Sequence, residues 1–152
     1  MKQSKIMRER IRRSAFLFGE LGYEITDVEE GEGSYTAGFR DEGGFQAGFY
    51  IDEDSRFLEL AFSFTLSRGM AGFVRSRMEE TLRVCYEYGC YFNLQTFKKD
   101  ISLTIFSKIY YAGLNYFVLK ETLRDFRSAA ETLRDLIEIK SERRKGEAHG
   151  DS

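Results

Sequence analysis

The stretch Leu119–Ile137, LKETLRDFRSAAETLRDLI, decides how the rest of the chain is read. Its apolar residues Leu119, Leu123, Phe126, Ala130, Leu133 and Ile137 recur at alternating steps of four and three, which sets them in one stripe along a helix. The intervening Lys120, Glu121, Arg124, Asp125, Arg127, Glu131, Arg134 and Asp135 are charged and belong to a solvated side. Such a stripe must be covered. Ahead of it lie two strongly alternating segments, and ahead of those a second amphipathic helix, so the chain reads as a sheet with helices packed on it. The same spacing would suit a coiled-coil seam between subunits. The seam would be short and a sheet face needs covering, so packing on the chain's own sheet is the better reading.

The alternating segments are clear. Cys90, Phe92 and Leu94 alternate with Tyr91, Asn93 and Gln95; after a turn at Lys98–Asp100, Ile101, Leu103, Ile105, Ser107, Ile109 and Tyr111 share one face, with Phe106, Lys108 and Tyr110 on the other. Before them Gly69–Tyr88 has helical spacing, with Met70, Val74, Met78, Leu82 and Cys85 as its apolar stripe and Gly89 as its stop. Further upstream Tyr35, Ala37 and Phe39 alternate, then Phe45, Ala47, Phe49 and Ile51. Leu58, Leu60, Phe62, Phe64 and Leu66 give the strongest period-two run, opposed by Glu59, Ala61, Ser63 and Thr65. One side of this sheet should therefore be buried and the other partly wet. Lys5–Leu21 is helical, with Met7, Ile11, Ala15, Phe18 and Leu21 on one face and Gly22 at its end, while Tyr23–Glu30 reads as an extended lead-in. The order is helix–three strands–helix–two strands–helix. Short turns between strands imply hairpins, hence an α+β class with a mostly antiparallel sheet. We expect a single domain over residues 1–140, followed by a disordered polar tail from Ser141 to Ser152.

Composition narrows the functional classes. The 152 residues carry 23 basic and 25 acidic side chains, a net charge of −2 that offers no general field for nucleic acid or an anionic membrane. Phe106, Lys108 and Tyr110 would suit stacking on single strands, but the balanced charge argues against it, and Gly44–Tyr50 does not fit the RNA-recognition consensus. The basic first thirteen residues lead into an apolar run that Glu20 cuts short, without a small-residue cleavage site, so a signal peptide is set aside. No segment approaches the roughly 20 apolar residues of a membrane span. We expect a cytoplasmic protein, with no nucleic-acid or membrane partner.

Catalytic signatures are missing. Cys85 and Cys90 are too few for a zinc site and do not make a redox CxxC, so they read as two small buried hydrophobes. The single histidine, His149, lies in the polar tail. Gly31, Gly33, Gly38, Gly43, Gly44 and Gly48 follow no phosphate-loop order and read as turn and bulge glycines. Asp52, Glu53 and Asp54 lack calcium-loop spacing. Asp27, Glu29 and Glu59 have no nucleophile or metal to work with. ETLR recurs at Glu80, Glu121 and Glu131 without a constant spacing, so it is no structural repeat. The expectation is a protein that is not an enzyme, with no cofactor and no metal.

Four stretches resemble the bacterial YbjN-like family and the related type III secretion chaperone-like fold. They are LGYEI (Leu21–Ile25), FLELAFSFTL (Phe57–Leu66), ETLRVCYEYGCYFNLQTF (Glu80–Phe97) and the final helix LKETLRDFRSAAETLRDLIEI. The middle-helix asparagines and last-helix tryptophan of many relatives are missing from this chain. The resemblance implies a small α+β domain, usually a homodimer, that binds another protein or its unfolded segment, and it brings no catalytic residues. Aromatics at 15% of the chain, 14 Phe and 9 Tyr, agree with a protein-binding surface. For the partner or dimer surface we select Met70, Phe73, Tyr91 and Tyr110. The alternative is a regulatory domain sensing a small ligand in a cavity lined by Phe and Tyr.

Overall fold

A computed structural model describes residues 3–150, with side chains through Ile137. Helix α1, Lys5–Glu20, is capped by Ser4, whose hydroxyl accepts a hydrogen bond from the Met7 N–H at 3.2 Å. Gly22, at φ 87°, lets the chain leave that helix. Four strands follow: β1 (Glu24–Gly31), β2 (Ser34–Arg40), β3 (Gln46–Asp52) and β4 (Phe57–Ser67). Next come two short helices, α2 (Ala71–Ser76) and α3 (Met78–Tyr88), then strands β5 (Tyr91–Thr96) and β6 (Asp100–Tyr110). The last helix, α4, spans Tyr116–Gly150 and opens with the Asn115 side-chain oxygen accepting from the Val118 N–H at 2.9 Å. The backbone of α4 is described through Gly150, into the stretch from Ser141 for which a disordered tail is expected; the side chains from Glu138 onward, and Asp151 and Ser152 altogether, lie outside the described residues.

All six strands form one antiparallel sheet in the order β1-β2-β3-β4-β6-β5. The α+β class is as the alternation predicts, with one strand more than expected. The Tyr23–Glu30 lead-in is largely strand β1, paired with β2 at the edge of the sheet. Its alternation is hidden because it carries four carboxylates and a bulge between Thr26 and Glu29, with Asp27 at φ 51°.

The helices all lie on one face. Phe18 of α1 is fully buried, its ring 4.7 Å from Phe49 and 4.8 Å from Phe39. Every member of the α4 stripe, Leu119 through Ile137, is buried, and it packs with Leu58, Leu60 and Ile105 in the same core. An ion pair from Arg127 to Asp41 fastens α4 to the β2–β3 turn, and the guanidinium lies 5.1 Å from the Phe45 ring centre.

The middle helix is interrupted. Arg77 takes φ −103° and ψ 11°, which breaks the periodicity between α2 and α3. The stripe drawn through one helix is therefore corrected: Phe73 and Val74 of α2 are buried with Ile101, Thr81 and Cys85 of α3 face inward, and Leu82 is exposed. Gly89, at φ 67°, ends α3 in a Schellman turn. Its N–H bonds the Tyr86 carbonyl, and the Cys90 N–H bonds that of Cys85 at 2.8 Å. That turn delivers the chain directly into β5.

Candidate interaction surface

With every helix on one side, the other side of the sheet has no layer over it among the described residues. Strand register fixes what stands there. Glu59 pairs with Tyr50 on one side and Lys108 on the other; Ala61 lies between Gly48 and Phe106, and Phe106 in turn faces Tyr91; Phe57 faces Tyr110. Directly opposed residues share a face, so these make one connected surface. Tyr91, the first residue of the edge strand β5, is 56% exposed, and Tyr110, the last residue of β6, is 60% exposed.

Lys108 ties the aromatic part together. Its Nζ sits 4.7 Å from the Phe57 ring centre and 4.8 Å from that of Tyr91, while Phe57 and Tyr110 meet edge to face at 6.0 Å. The stem of Lys108 and the rings therefore hold one another in place without a covering layer. Glu59, beside Lys108, is half-buried; desolvation raises its pKa, and the lysine charge partly offsets this. Tyr50 donates to Asp52 Oδ2 at 3.0 Å, and this hydrogen bond to a carboxylate raises its own pKa.

Beside the rings the surface is shallow. Gly38 pairs with Gly48, and Gly48 with Ala61, so the three central strands present almost no side chain along that row. A Cβ on Gly48 would come 3.4 Å from the Ala37 carbonyl oxygen, at the near limit of ordinary contact. Gly38 and Gly48 are thus mid-strand residues, not the turn and bulge glycines expected; Gly33 and Gly44, both at positive φ, are true turn residues. Ser63 and Thr104 hydroxyls, 2.8 Å apart, border the row on the far side.

The four residues selected from sequence separate onto two faces. Tyr91 and Tyr110 both belong to the open surface, linked through Lys108 and Phe57. Phe73 is only 7% exposed and packs with Val74 and Ile101 on the helix side, with Met70 partly buried against that cluster. Neither reaches the open face, because the break at Arg77 turns α2 down onto Ile101. Tyr50, Phe57 and Phe106 belong to the surface and were not selected. Their signal in the sequence is aromatic residues at the positions of alternation opposite to the apolar ones.

The interior rings fill against one another: Phe18, Phe39, Phe45 and Phe49 form a contiguous stack. The surface concavities are differently lined. One of about 420 Å³ is bounded by Gly22, Tyr23, Glu24, Arg40, Asp41 and Glu42, and one of about 370 Å³ by Gln3, Ser4, Met7, Gly31, Gly33 and the carboxylates Glu30, Glu32 and Glu53. Both are polar clefts; two smaller ones, of about 290 and 280 Å³, are more apolar and include one tyrosine each, Tyr111 beside Ile6 and Leu114, and Tyr23 beside Leu21 and Leu123. Among the described residues no group of three or more His, Cys, Asp and Glu is placed to hold a metal ion, and no helix is long and apolar enough to cross a membrane. Cys85 is buried beside Cys90, and desolvation pushes its thiol up to about 11.

No protein-family model, curated protein or solved structure matches the chain.

Proposed function

We propose that this chain is a non-enzymatic protein-binding domain, a chaperone-like or adaptor module that works as a homodimer and receives an apolar surface of another protein on its open sheet face. The observation that carries this is the one-sided placement of the helices, which leaves Tyr50, Phe57, Tyr91, Phe106 and Tyr110 around an almost side-chain-free row. Tyrosine suits such a role: its ring gives contact area at little entropic cost and its hydroxyl tolerates water before the partner arrives. Lys108 and Glu59, opposed across β4 and β6, set one cation and one carboxylate among the rings and give the face polar groups for orienting a partner. The resemblance to YbjN-like and secretion chaperone-like proteins agrees with this reading through the α+β class, although the edge strand β1 departs from the element order on which it rests.

The test is affinity capture from native cells with the wild-type chain and with a Phe57→Ser/Tyr110→Ser variant, after circular dichroism shows that the variant is folded. The proposal expects a protein recovered in fixed ratio with the wild type and lost from the variant, and retained by the wild type at high salt because apolar burial holds it. Recovery of the same protein in the same ratio by both would refute the assignment to this face.

A further inference from the structure

The two edges of the sheet are unlike. β1 is guarded by Glu24, Asp27, Glu29 and Glu30, and its pairing is broken by the bulge at Thr26–Glu29. These are the devices that keep a sheet edge from accepting another strand. β5 has none of them: Tyr91-Phe92-Asn93-Leu94-Gln95-Thr96 contains no charge, no glycine and no proline, and its register with β6 is unbroken from Tyr91↔Phe106 to Thr96↔Ile101. We propose that β5 is a strand-addition site whose occupant is β5 of a second copy, giving a continuous antiparallel sheet across the dimer. This deepens the homodimer reading and does not depend on what binds the open face.

The register of that pairing follows from the backbone. The Phe97 N–H donates to the Asp100 carbonyl at 2.7 Å and closes the β5–β6 hairpin. Counting back by two, Gln95, Asn93 and Tyr91 turn their main-chain groups toward β6, while Phe92, Leu94 and Thr96 turn theirs outward. A two-fold axis normal to the sheet keeps both open faces on the same side only when it passes through a residue. Centred on Leu94, it pairs Leu94 with its own counterpart, Phe92 with Thr96, Asn93 with Gln95 and Tyr91 with Phe97. Leucine then meets leucine, amide meets amide and Tyr91 meets Phe97, with Phe92 against the Thr96 side chain, and the outward groups of Phe92, Leu94 and Thr96 supply about six main-chain hydrogen bonds. Centred instead on Asn93, the axis would set Tyr91 against Gln95 and oppose only Phe92 to Leu94 among the outward groups, since the Cys90 N–H that Thr96 would meet is already bonded to the Cys85 carbonyl, leaving about four main-chain bonds. This self-complementarity is why a second copy, rather than an unrelated segment, is the assigned occupant.

Side chains around the edge add apolar area to the backbone pairing. Tyr91 and Phe97 are 56% and 51% exposed, and α3, which packs on β5, presents Leu82 at 54% and Tyr86 at 90%, one turn apart. Aromatic side chains cover roughly 150–250 Å² each. Tyr91 and Phe97, opposed across the axis, add apolar contact to the main-chain pairing in each half of the interface.

Two double substitutions at exposed positions on the open-face side of β5 test the proposal. In Asn93→Lys/Gln95→Lys the axis through Leu94 sets lysine against lysine twice; in Asn93→Lys/Gln95→Glu it sets lysine against glutamate twice. Sedimentation equilibrium on the full chain is expected to show a wild-type dimer, a dissociation constant raised about tenfold or more in the first variant at low salt, and a dimer retained in the second. Thermal melts monitored by circular dichroism confirm that each is folded. A wild-type monomer at every concentration overturns the homodimer reading and the edge together. A dimer undisturbed in Asn93→Lys/Gln95→Lys overturns the edge assignment alone, and loss of the dimer in Asn93→Lys/Gln95→Glu overturns the register.

Discussion

Replacing Phe18 by alanine removes a ring that is 0% exposed and stacked between Phe39 and Phe49, with Tyr23 edge-on at 6.2 Å. Deleting a buried phenylalanine side chain costs about 3–5 kcal/mol, and the paired rings set this site toward the upper end of that range. For a chain of this length 1 kcal/mol moves the melting temperature by about 2–4 °C, so the midpoint should fall by roughly 10–20 °C. Tyr110→Ser is the control. It removes a ring of similar size, but one that is 60% exposed and touched mainly by Phe57, so its cost should stay under about 1 kcal/mol. Chemical denaturation of both variants, followed by circular dichroism at a concentration where the oligomeric state is fixed, gives the two values. The reasoning holds that one face of the sheet is core and the other is open. Comparable destabilisation by the two substitutions would refute it, because Tyr110 would then have to be packed beneath a layer.

Three further outcomes follow from local chemistry. Gly89→Ala should cost about 1 kcal/mol, because the Schellman turn holds this residue at φ 67° where a Cβ is strained; Gly89→Asn should cost less, and equilibrium unfolding ranks the three. For Asp41, burial acts to raise the pKa, but hydrogen bonds from the Phe45 N–H and the Arg127 side chain outweigh it and hold the carboxyl below its usual value. Its stabilisation is therefore complete above the unfolded value near pH 4 and lost as pH falls through the lower folded value, so Asp41→Asn should lose about 1 kcal/mol at pH 7 and converge on wild type in acid. The Cys85 thiol, pushed up to about 11 by burial with a further contribution from Cys90, carries roughly a hundredfold less thiolate than a free cysteine. Neither thiol should react with a maleimide at neutral pH until the protein unfolds, and rapid labelling of the native protein would contradict this.

The sequence was most informative where one face of an element is dry. Leu119, Leu123, Phe126, Ala130, Leu133 and Ile137 are all buried, as their spacing requires, and Leu58 and Leu60 lie under them with Glu59 on the other face. The reading failed where no dry face exists or where regularity breaks. β1 is an edge strand bearing acidic residues, so burial leaves almost no alternation in it. At Arg77 the helix breaks, and the apolar residues on either side continue to look like one stripe, so spacing alone sets Leu82 in the stripe and Phe73 beside it, whereas Phe73 is buried and Leu82 exposed. The open face was only half visible. Tyr91 and Tyr110 stood out as aromatics on the polar side of β5 and β6, but their union with Phe57 and Tyr50, and the pairing of Gly38 with Gly48 beside them, depends on register between distant strands.

The most direct test of the open face as the binding face is hydroxyl-radical footprinting of the captured complex against the free protein, with modification read residue by residue. The account predicts protection of Tyr50 and Tyr110 on partner binding, while Phe16 of α1 and Phe117 of α4, exposed on the helix layer, react as before. Protection at Phe16 and Phe117 with Tyr50 and Tyr110 unchanged would contradict it and move the binding surface to the helices.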